Sequence, residues 1–255
     1  MKFGTFVAAL VVAVVAPSVT SFASPDCRAS RELLDLGHPL TVAREAVAKD
    51  HELRIVAMGS SSTQGYGTTS PQFAYPAQLK LHLEKAMPGV AVHVINKGIG
   101  GQDAEEMTER MKSDVQPAHA QLVIWQVGTN SAIRHTPLDL FSRKLRAGID
   151  IGRSLGAEFI LMNLQYVPAV VALPDEQDYA HVMAQVAKEK GTGLFNRLSI
   201  MKAWYNDGMP YSQFVYNDGL HLNDFGQKCI GKLLSQAILR TVKPSQLTGD
   251  PKAGN

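Results

Sequence analysis

Short apolar runs alternate with amphipathic stretches along most of the chain. The apolar runs contain β-branched residues and end in glycine or other turn-forming residues, which is typical of buried strands. The connections between the runs are too long for hairpins, so the strands are expected to be parallel. The predicted strands lie at 53–58, 90–96, 122–127, 158–164 and 193–195.

The amphipathic stretches predict helices, because their ends carry capping residues, proline and glycine. Asp103 and Asn223 are the predicted N-caps of two of them. The helices are expected at 28–50, 75–87, 103–114, 137–155, 175–190 and 224–239. This alternation of strand and helix predicts the α/β class: a single three-layer α/β/α domain with a five-stranded parallel sheet, flavodoxin-like, in strand order 2-1-3-4-5.

The first 23 residues have the pattern of an export signal. Lys2 precedes an uncharged apolar run, and small residues around Ala23 suit cleavage by a signal peptidase. The run is too short to cross a bilayer as a helix, so we expect a secreted or periplasmic protein; the alternative is an uncleaved anchor. The expected divisions are a signal at 1–23, a helical extension at 24–52, the main domain at 53–242 and a flexible tail at 243–255.

The charge balance bears on the binding partner. Lys and Arg number 25 against 23 Asp and Glu, and neither sign forms a cluster. This argues against nucleic acid and against an anionic membrane surface. The expected partner is a small or neutral molecule, without stable membrane insertion, and the oligomeric state is left open.

Two cysteines, Cys27 and Cys229, lie near opposite ends of the exported chain. In an oxidising compartment they either form a disulfide that joins the N-terminal segment to the last helix or remain separate thiols, and the sequence favours neither. No CxxC or HExxH pattern is present, and the glycine turn after the second strand lacks the third glycine of a dinucleotide motif. We therefore expect neither a metal nor a cofactor.

Polar, glycine-bearing turns follow the first three strands and begin at Gly59, Asn96 and Gly128. In a parallel sheet these turns lie at one edge, where α/β proteins bind their ligands. A loop before the last helix adds Asp218 and His221. A serine nucleophile needs an imidazole as base and a carboxylate to orient it, and glycine N–H groups with an asparagine amide suit a developing oxyanion.

Each of these features alone has an ordinary structural interpretation. Serines after a strand commonly form turns or helix caps. Asp218 and His221 also fit a capping residue with a loop histidine, or half of a metal site. Their joint occurrence at one edge of the sheet favours catalysis.

In this order the motifs resemble those of the SGNH (GDSL-type) hydrolase superfamily, and the resemblance covers the whole main domain. It implies the SGNH hydrolase fold and a catalytic triad of Ser61, Asp218 and His221. It also implies an oxyanion hole formed by the N–H groups of Ser61 and Gly101 and the amide of Asn130. No metal or cofactor is implied.

Two positions depart from the pattern of the superfamily. Ser60 stands where aspartate is usual, and Ser131 follows Asn130 where aspartate is common. Neither is a triad position. The three consecutive serines leave Ser60 and Ser62 as fallback nucleophiles, although the register from Gly59 favours Ser61.

The expected function is that of a secreted serine esterase that hydrolyses a small acyl ester, acetyl first, on a carbohydrate. Arg134, His135 and Tyr166 are candidates for substrate contact, although Arg134 and His135 equally suit a position facing water. The alternatives are an O-acyltransferase with the same triad, a lipase or thioesterase for longer acyl chains, and a non-catalytic carbohydrate-binding envelope protein.

Overall fold

Five parallel strands form one sheet in the computed structural model, in the order β2-β1-β3-β4-β5. The structure describes residues 27–243 together with Met1, so the predicted export signal and nearly all of the predicted tail lie outside the described residues. The strands are β1 (Glu52–Gly59), β2 (Ala91–Gly98), β3 (Leu122–Gln126), β4 (Glu158–Met162) and β5 (Gly193–Phe195). The predicted fold class, strand direction and strand order are confirmed.

The helices connect the strands and cover both faces of the sheet. They are α1 (Thr41–Glu45), α2 (Ser61–Gln64), α3 (Tyr75–Ala86), α4 (Ala104–Val115), α5 (Thr129–Ile133), α6 (Leu138–Ser154), α7 (Pro168–Val171), α8 (Glu176–Lys190), α9 (Arg197–Asn206), α10 (Tyr211–Phe214) and α11 (Asp224–Val242). A π-helical turn follows α1 at Ala46–Asp50, and 3₁₀ turns lie at Pro71–Phe73 and Gln116–Ala118. None of the described helices is long and apolar enough to cross a membrane.

The sheet is sandwiched between two helical layers. Helices α3 and α11 pack together on one side, while α4, α6 and α8 pack in sequence on the other. Every residue of β3 is buried, as expected of a central parallel strand covered on both faces. Both predicted N-caps are confirmed: the Asp103 side chain accepts the N–H groups of Glu105 and Glu106, and Asn223 accepts that of Gly226.

The helix predicted at 28–50 is wrong over most of its length. Its composition favours helix, but Gly37 adopts a left-handed backbone with φ of 68° and Pro39 follows it closely. Helical structure begins only at Thr41. The segment before it is fixed by packing into the main core instead, through Leu34, Leu36 and Leu40.

The two cysteines form a disulfide that joins Cys27 to Cys229, which lies 202 residues later on α11. The sulfur of Cys229 lies in the core, where the residue is fully buried. The bridge therefore fastens the beginning of the described chain to its last helix and settles the choice that the sequence left open.

We expect the double variant Cys27→Ala with Cys229→Ala to lose about 2–4 kcal/mol of unfolding free energy, because the bridge closes a very long loop in the unfolded chain. Alanine is chosen because a serine at the buried position 229 would add an unpaired hydroxyl. Denaturant titration of the variant and of the oxidised and reduced wild-type protein measures the effect. Equal stability of oxidised and reduced wild type would contradict it.

Candidate active site

Ser61, His221 and Asp218 come together at the carboxyl edge of the sheet. Ser61 is the first residue of α2, directly after the turn that ends β1. The Nε2 atom of His221 lies 2.7 Å from the Ser61 hydroxyl oxygen, and its Nδ1 atom lies 2.6 Å from Oδ2 of Asp218. The structure thus brings the three predicted triad residues into one hydrogen-bonded chain.

The state of Asp218 fixes the direction of these hydrogen bonds. Partial burial alone would raise the pKa of Asp218, but the backbone N–H groups of His221 and Leu220, with the His221 ring, bring it below its usual value. The group is therefore a carboxylate at neutral pH and accepts from Nδ1–H of His221. In the neutral ring, a proton held on Nδ1 leaves Nε2 as the acceptor for the Ser61 hydroxyl proton.

The loop that carries His221 is held from two sides. The backbone N–H of Tyr216 donates to the carbonyl of His221 at 2.7 Å, across a short antiparallel bridge. On the other side the Gln165 amide donates to the Leu220 carbonyl at 3.2 Å. Gln165 in turn accepts from the fully buried Arg197 guanidinium at 2.5 Å, whose pKa burial lowers to about 10.

Gln126, the last residue of β3, holds the turn before Ser61. Its buried Oε1 atom accepts from the backbone N–H and the hydroxyl of Ser60 and from the hydroxyl of Thr63, each at 3.1 Å. A hydroxyl has one hydrogen, and that of Thr63 is donated to Gln126. The Tyr75 hydroxyl is therefore the donor in its 3.1 Å contact with Thr63. The superfamily usually has an aspartate at the position of Ser60. In this protein a neutral amide from the neighbouring strand holds that segment.

Two further amides hold α2, one from β2 and one from α11. The Asn96 side chain donates to the Thr63 carbonyl at 2.8 Å, and the Gln227 side chain donates to the Ser62 carbonyl at 3.0 Å. Gly98 completes the contact, because a Cβ atom there would overlap the backbone nitrogen of Gln64. The end of β2 and the helix of Ser61 are thus in backbone contact.

Besides the N–H of Ser61, the predicted oxyanion groups are Gly101 and Asn130, on two neighbouring segments. Gly101 has a left-handed backbone with φ of 81°, and a Cβ atom on the adjacent Gly100 would lie 3.9 Å from the Ser61 Cβ. The Asn130 amide donates to the Gln102 carbonyl at 2.8 Å. An asparagine amide has two N–H donors, so one holds the glycine turn and the second is available to an oxyanion. The roles of Gly101 and Asn130 stay predictions.

Arg134 links the same two segments. It lies one residue past α5, and its guanidinium donates to the Gly101 carbonyl at 2.7 Å. The same group pairs with Asp103 at 3.0 Å and with Glu106 at 3.1 Å. About half of the Arg134 side chain is exposed, so the residue holds the glycine turn to α5 and still reaches the surface.

The other two candidate substrate residues lie apart from each other. His135 is mostly exposed, and its Nδ1 atom lies 3.6 Å from the Asp175 carboxylate. Tyr166 packs in a cluster of rings with Tyr205 and Tyr211. Whether Arg134, His135 or Tyr166 contacts a substrate stays a prediction.

Several residues that build the site carried little signal in the sequence. Gln126 is a polar residue one position before the end of the apolar run at 122–127, which is a weak sign of a polar group near the edge of the sheet. Gln165, Arg197 and Gln227 are recognised only through their contacts. Among the described residues, no group of three or more His, Cys, Asp or Glu side chains stands close enough to hold a metal ion.

Comparisons with known proteins agree with this architecture. The family model that matches the chain is that of the non-GDSL lipase-like family, over residues 26–244. A comparison with curated proteins finds no match.

Several solved structures share the fold. A protein of Desulfitobacterium hafniense assigned to the lipolytic G-D-S-L family has 21% identity and a TM-score of 0.60, over 73% of this chain and 99% of its own. An acetyl xylan esterase variant of Geobacillus stearothermophilus has 19% identity and a TM-score of 0.60, over 75% and 94% of the two chains.

A two-domain esterase active on acetylated mannans has 18% identity and a TM-score of 0.67. The match covers 81% of this chain but only 55% of that esterase. At these identities the likeness concerns the fold.

Proposed function

Because the chain belongs to the non-GDSL lipase-like family of the SGNH hydrolase superfamily, and is thus a carboxylic ester hydrolase, we propose that it is a serine esterase acting through Ser61, His221 and Asp218. The observation that carries the proposal is the unbroken hydrogen-bonded chain from the Ser61 hydroxyl through the His221 ring to the Asp218 carboxylate.

The reaction follows from the direction of those hydrogen bonds. His221 takes the proton of Ser61 as the serine oxygen attacks the ester carbonyl, and Asp218 stabilises the resulting imidazolium. The N–H groups of Ser61 and Gly101 and the Asn130 amide receive the negative oxygen. His221 then gives the proton to the departing alcohol. A water molecule repeats the attack on the acyl-enzyme and releases the acid and the free serine.

We further propose an acetyl ester of an exported carbohydrate as the substrate. The similar esterases just described act on acetylated mannans and on acetyl xylan, and the disulfide and the apolar N-terminal run support export. One observation favours longer acyl chains: Ile99 and Ile133 are exposed on the segments that carry Gly101 and Asn130.

The experiment that tests the proposal measures hydrolysis of p-nitrophenyl acetate, butyrate and octanoate, followed by labelling with a fluorophosphonate. We expect turnover that is fastest with acetate, and a phosphonyl group on the peptide that contains Ser61. Fastest turnover with octanoate would indicate a lipase or thioesterase and not an acetylesterase. Turnover without labelling at Ser61 would overturn the serine mechanism. Transfer to added xylose that outruns hydrolysis would point to the acyltransferase.

Arg134→Ala is expected to lower kcat for p-nitrophenyl acetate by about tenfold to a hundredfold, because small displacements of an oxyanion donor are costly. The KM should change little, since the guanidinium holds the Gly101 carbonyl rather than the ester. Steady-state kinetics measure both values, with Arg143→Ala as the control, an exposed arginine that pairs with Asp139 on α6. A raised KM with unchanged kcat would instead identify Arg134 as a substrate ligand.

A further inference from the structure

An exposed tyrosine, Tyr66, packs against the imidazole of His221, and a second, Tyr216, packs against Tyr66. The centre of the Tyr66 ring lies 4.5 Å from that of His221 and 6.3 Å from that of Tyr216. Tyr66 is 56% exposed and Tyr216 is 42% exposed. The planes of the two tyrosine rings are nearly perpendicular, at 87°, so together they form an L-shaped aromatic corner next to the catalytic base.

The corner is preformed by contacts on both sides. Tyr216 is hydrogen-bonded to His221 across the bridge described above. The loop that carries Tyr66 is fastened by Thr69, whose N–H and hydroxyl donate to the Asp224 carboxylate at 2.8 and 2.6 Å. Gly67, with φ of 89°, lies against the loop of His221: a Cβ atom at this position would be 2.7 Å from the Leu222 carbonyl oxygen.

A cavity of 310 Å³ opens at this corner, lined by Gly65, Tyr66, Gly67, Thr68 and Tyr216. This volume lies at the lower end of the range for small-molecule sites. The cavity combines aromatic rings with phenol, threonine and backbone polar groups, so it offers both an apolar face and hydrogen-bonding partners.

The chemistry of the reaction decides which part of the ester reaches this corner. His221 protonates the departing oxygen, so that oxygen must lie within hydrogen-bond reach of Nε2, and its substituent lies beside the imidazole ring. Tyr66 lies there with Tyr216 against it, whereas Gly101 and Asn130 serve the carbonyl oxygen. The corner is therefore on the alcohol side of the ester and not on the acyl side.

We propose that the corner formed by Tyr66 and Tyr216 binds the alcohol moiety of the substrate, and that this alcohol is a pyranose ring. A pyranose has an apolar C–H face that packs on an aromatic ring and peripheral hydroxyls that pair with phenol and backbone groups. An alkyl alcohol would use the apolar face of the corner but would form none of these hydrogen bonds. This inference rests on the proposed esterase and assigns the specificity of the same site.

The test compares substrates with one acyl group and different alcohols: the mono-O-acetyl methyl xylopyranosides, the corresponding mannopyranosides and ethyl acetate. We expect kcat/KM of the wild-type protein to be more than about tenfold higher for at least one pyranoside than for ethyl acetate. Tyr216→Ala should lower that ratio about tenfold, the loss of roughly one aromatic contact. Tyr216→Phe should retain most of it. Phe73→Ala, which removes another partly exposed ring, should leave the ratio unchanged.

The outcomes separate the two proposals. Hydrolysis of ethyl acetate and p-nitrophenyl acetate with no preference for a pyranoside would overturn the sugar site and leave the esterase standing. A preference that Tyr216→Ala does not alter would also overturn it, provided that thermal unfolding shows the variant to be folded. Failure of the wild-type protein on every ester would overturn the esterase, and the sugar site with it.

Discussion

Ser61→Ala is expected to lower kcat/KM for p-nitrophenyl acetate by about three to six orders of magnitude, and His221→Ala by a similar amount. The serine variant removes the attacking oxygen, and the histidine variant leaves that oxygen without a base at 2.7 Å. The double variant should be no worse than either single variant, because the two residues act as one unit.

Steady-state assays of the three variants test this prediction. Thermal unfolding shows whether each variant is folded. Ser62→Ala is the matched control, since it removes a neighbouring hydroxyl from the same helix and should retain activity. Activity that survives in Ser61→Ala but disappears in Ser62→Ala would move the nucleophile by one residue. Losses that add up in the double variant would contradict a shared mechanism.

Gln126→Leu is expected to lower the free energy of unfolding by about 3–5 kcal/mol, because three buried donors around Ser60 and Thr63 lose one acceptor and each such loss costs about 1–3 kcal/mol. The folded fraction should also have a lower kcat, since the turn before Ser61 is no longer fixed. Denaturant titration gives the first effect, and kinetics normalised to titrated active sites give the second.

Gln121→Leu provides the control, one residue before the opposite end of β3. The Gln121 side chain accepts one backbone N–H, that of Arg54, at 2.6 Å. Its removal should therefore cost less stability and leave kcat unchanged. Equal effects of the two variants on kcat would show that Gln126 has no special part in holding the Ser61 turn.

Elements with strong local signals were predicted well from the sequence. Helices α6 and α8 begin and end within one residue of the predicted bounds, and Asp103 is the N-cap of α4 as predicted. The short helices α2 and α5 were not predicted, because four or five residues carry no periodicity and are fixed by tertiary contacts. The helix expected at 28–50 failed for the converse reason: favourable composition was outweighed by Gly37, Pro39 and packing into the core.

In the candidate site, too, some residues could be predicted from the sequence and others could not. The resemblance to the SGNH motifs was enough to predict Ser61, Asp218 and His221 as a triad, and the structure places the three side chains in one hydrogen-bonded chain. The supporting contacts were beyond the sequence. That Gln126 lies beside Ser60, or that Arg134 reaches the Gly101 carbonyl, depends on how strands β1, β2 and β3 stand next to each other.

The amides that hold the helix of Ser61 have a consequence for its tolerance of acid. Asn96, Gln126 and Gln227 do not titrate, whereas a carboxylate at the position of Ser60 would lose its charge as the pH falls. Burial raises the pKa of Tyr75 to about 12, so its hydroxyl also keeps its proton. The nucleophile thus stays anchored from acidic to alkaline medium. Activity lost in acid through protonation of Asp218, whose pKa is lowered, should return on neutralisation without any rebuilding of this turn.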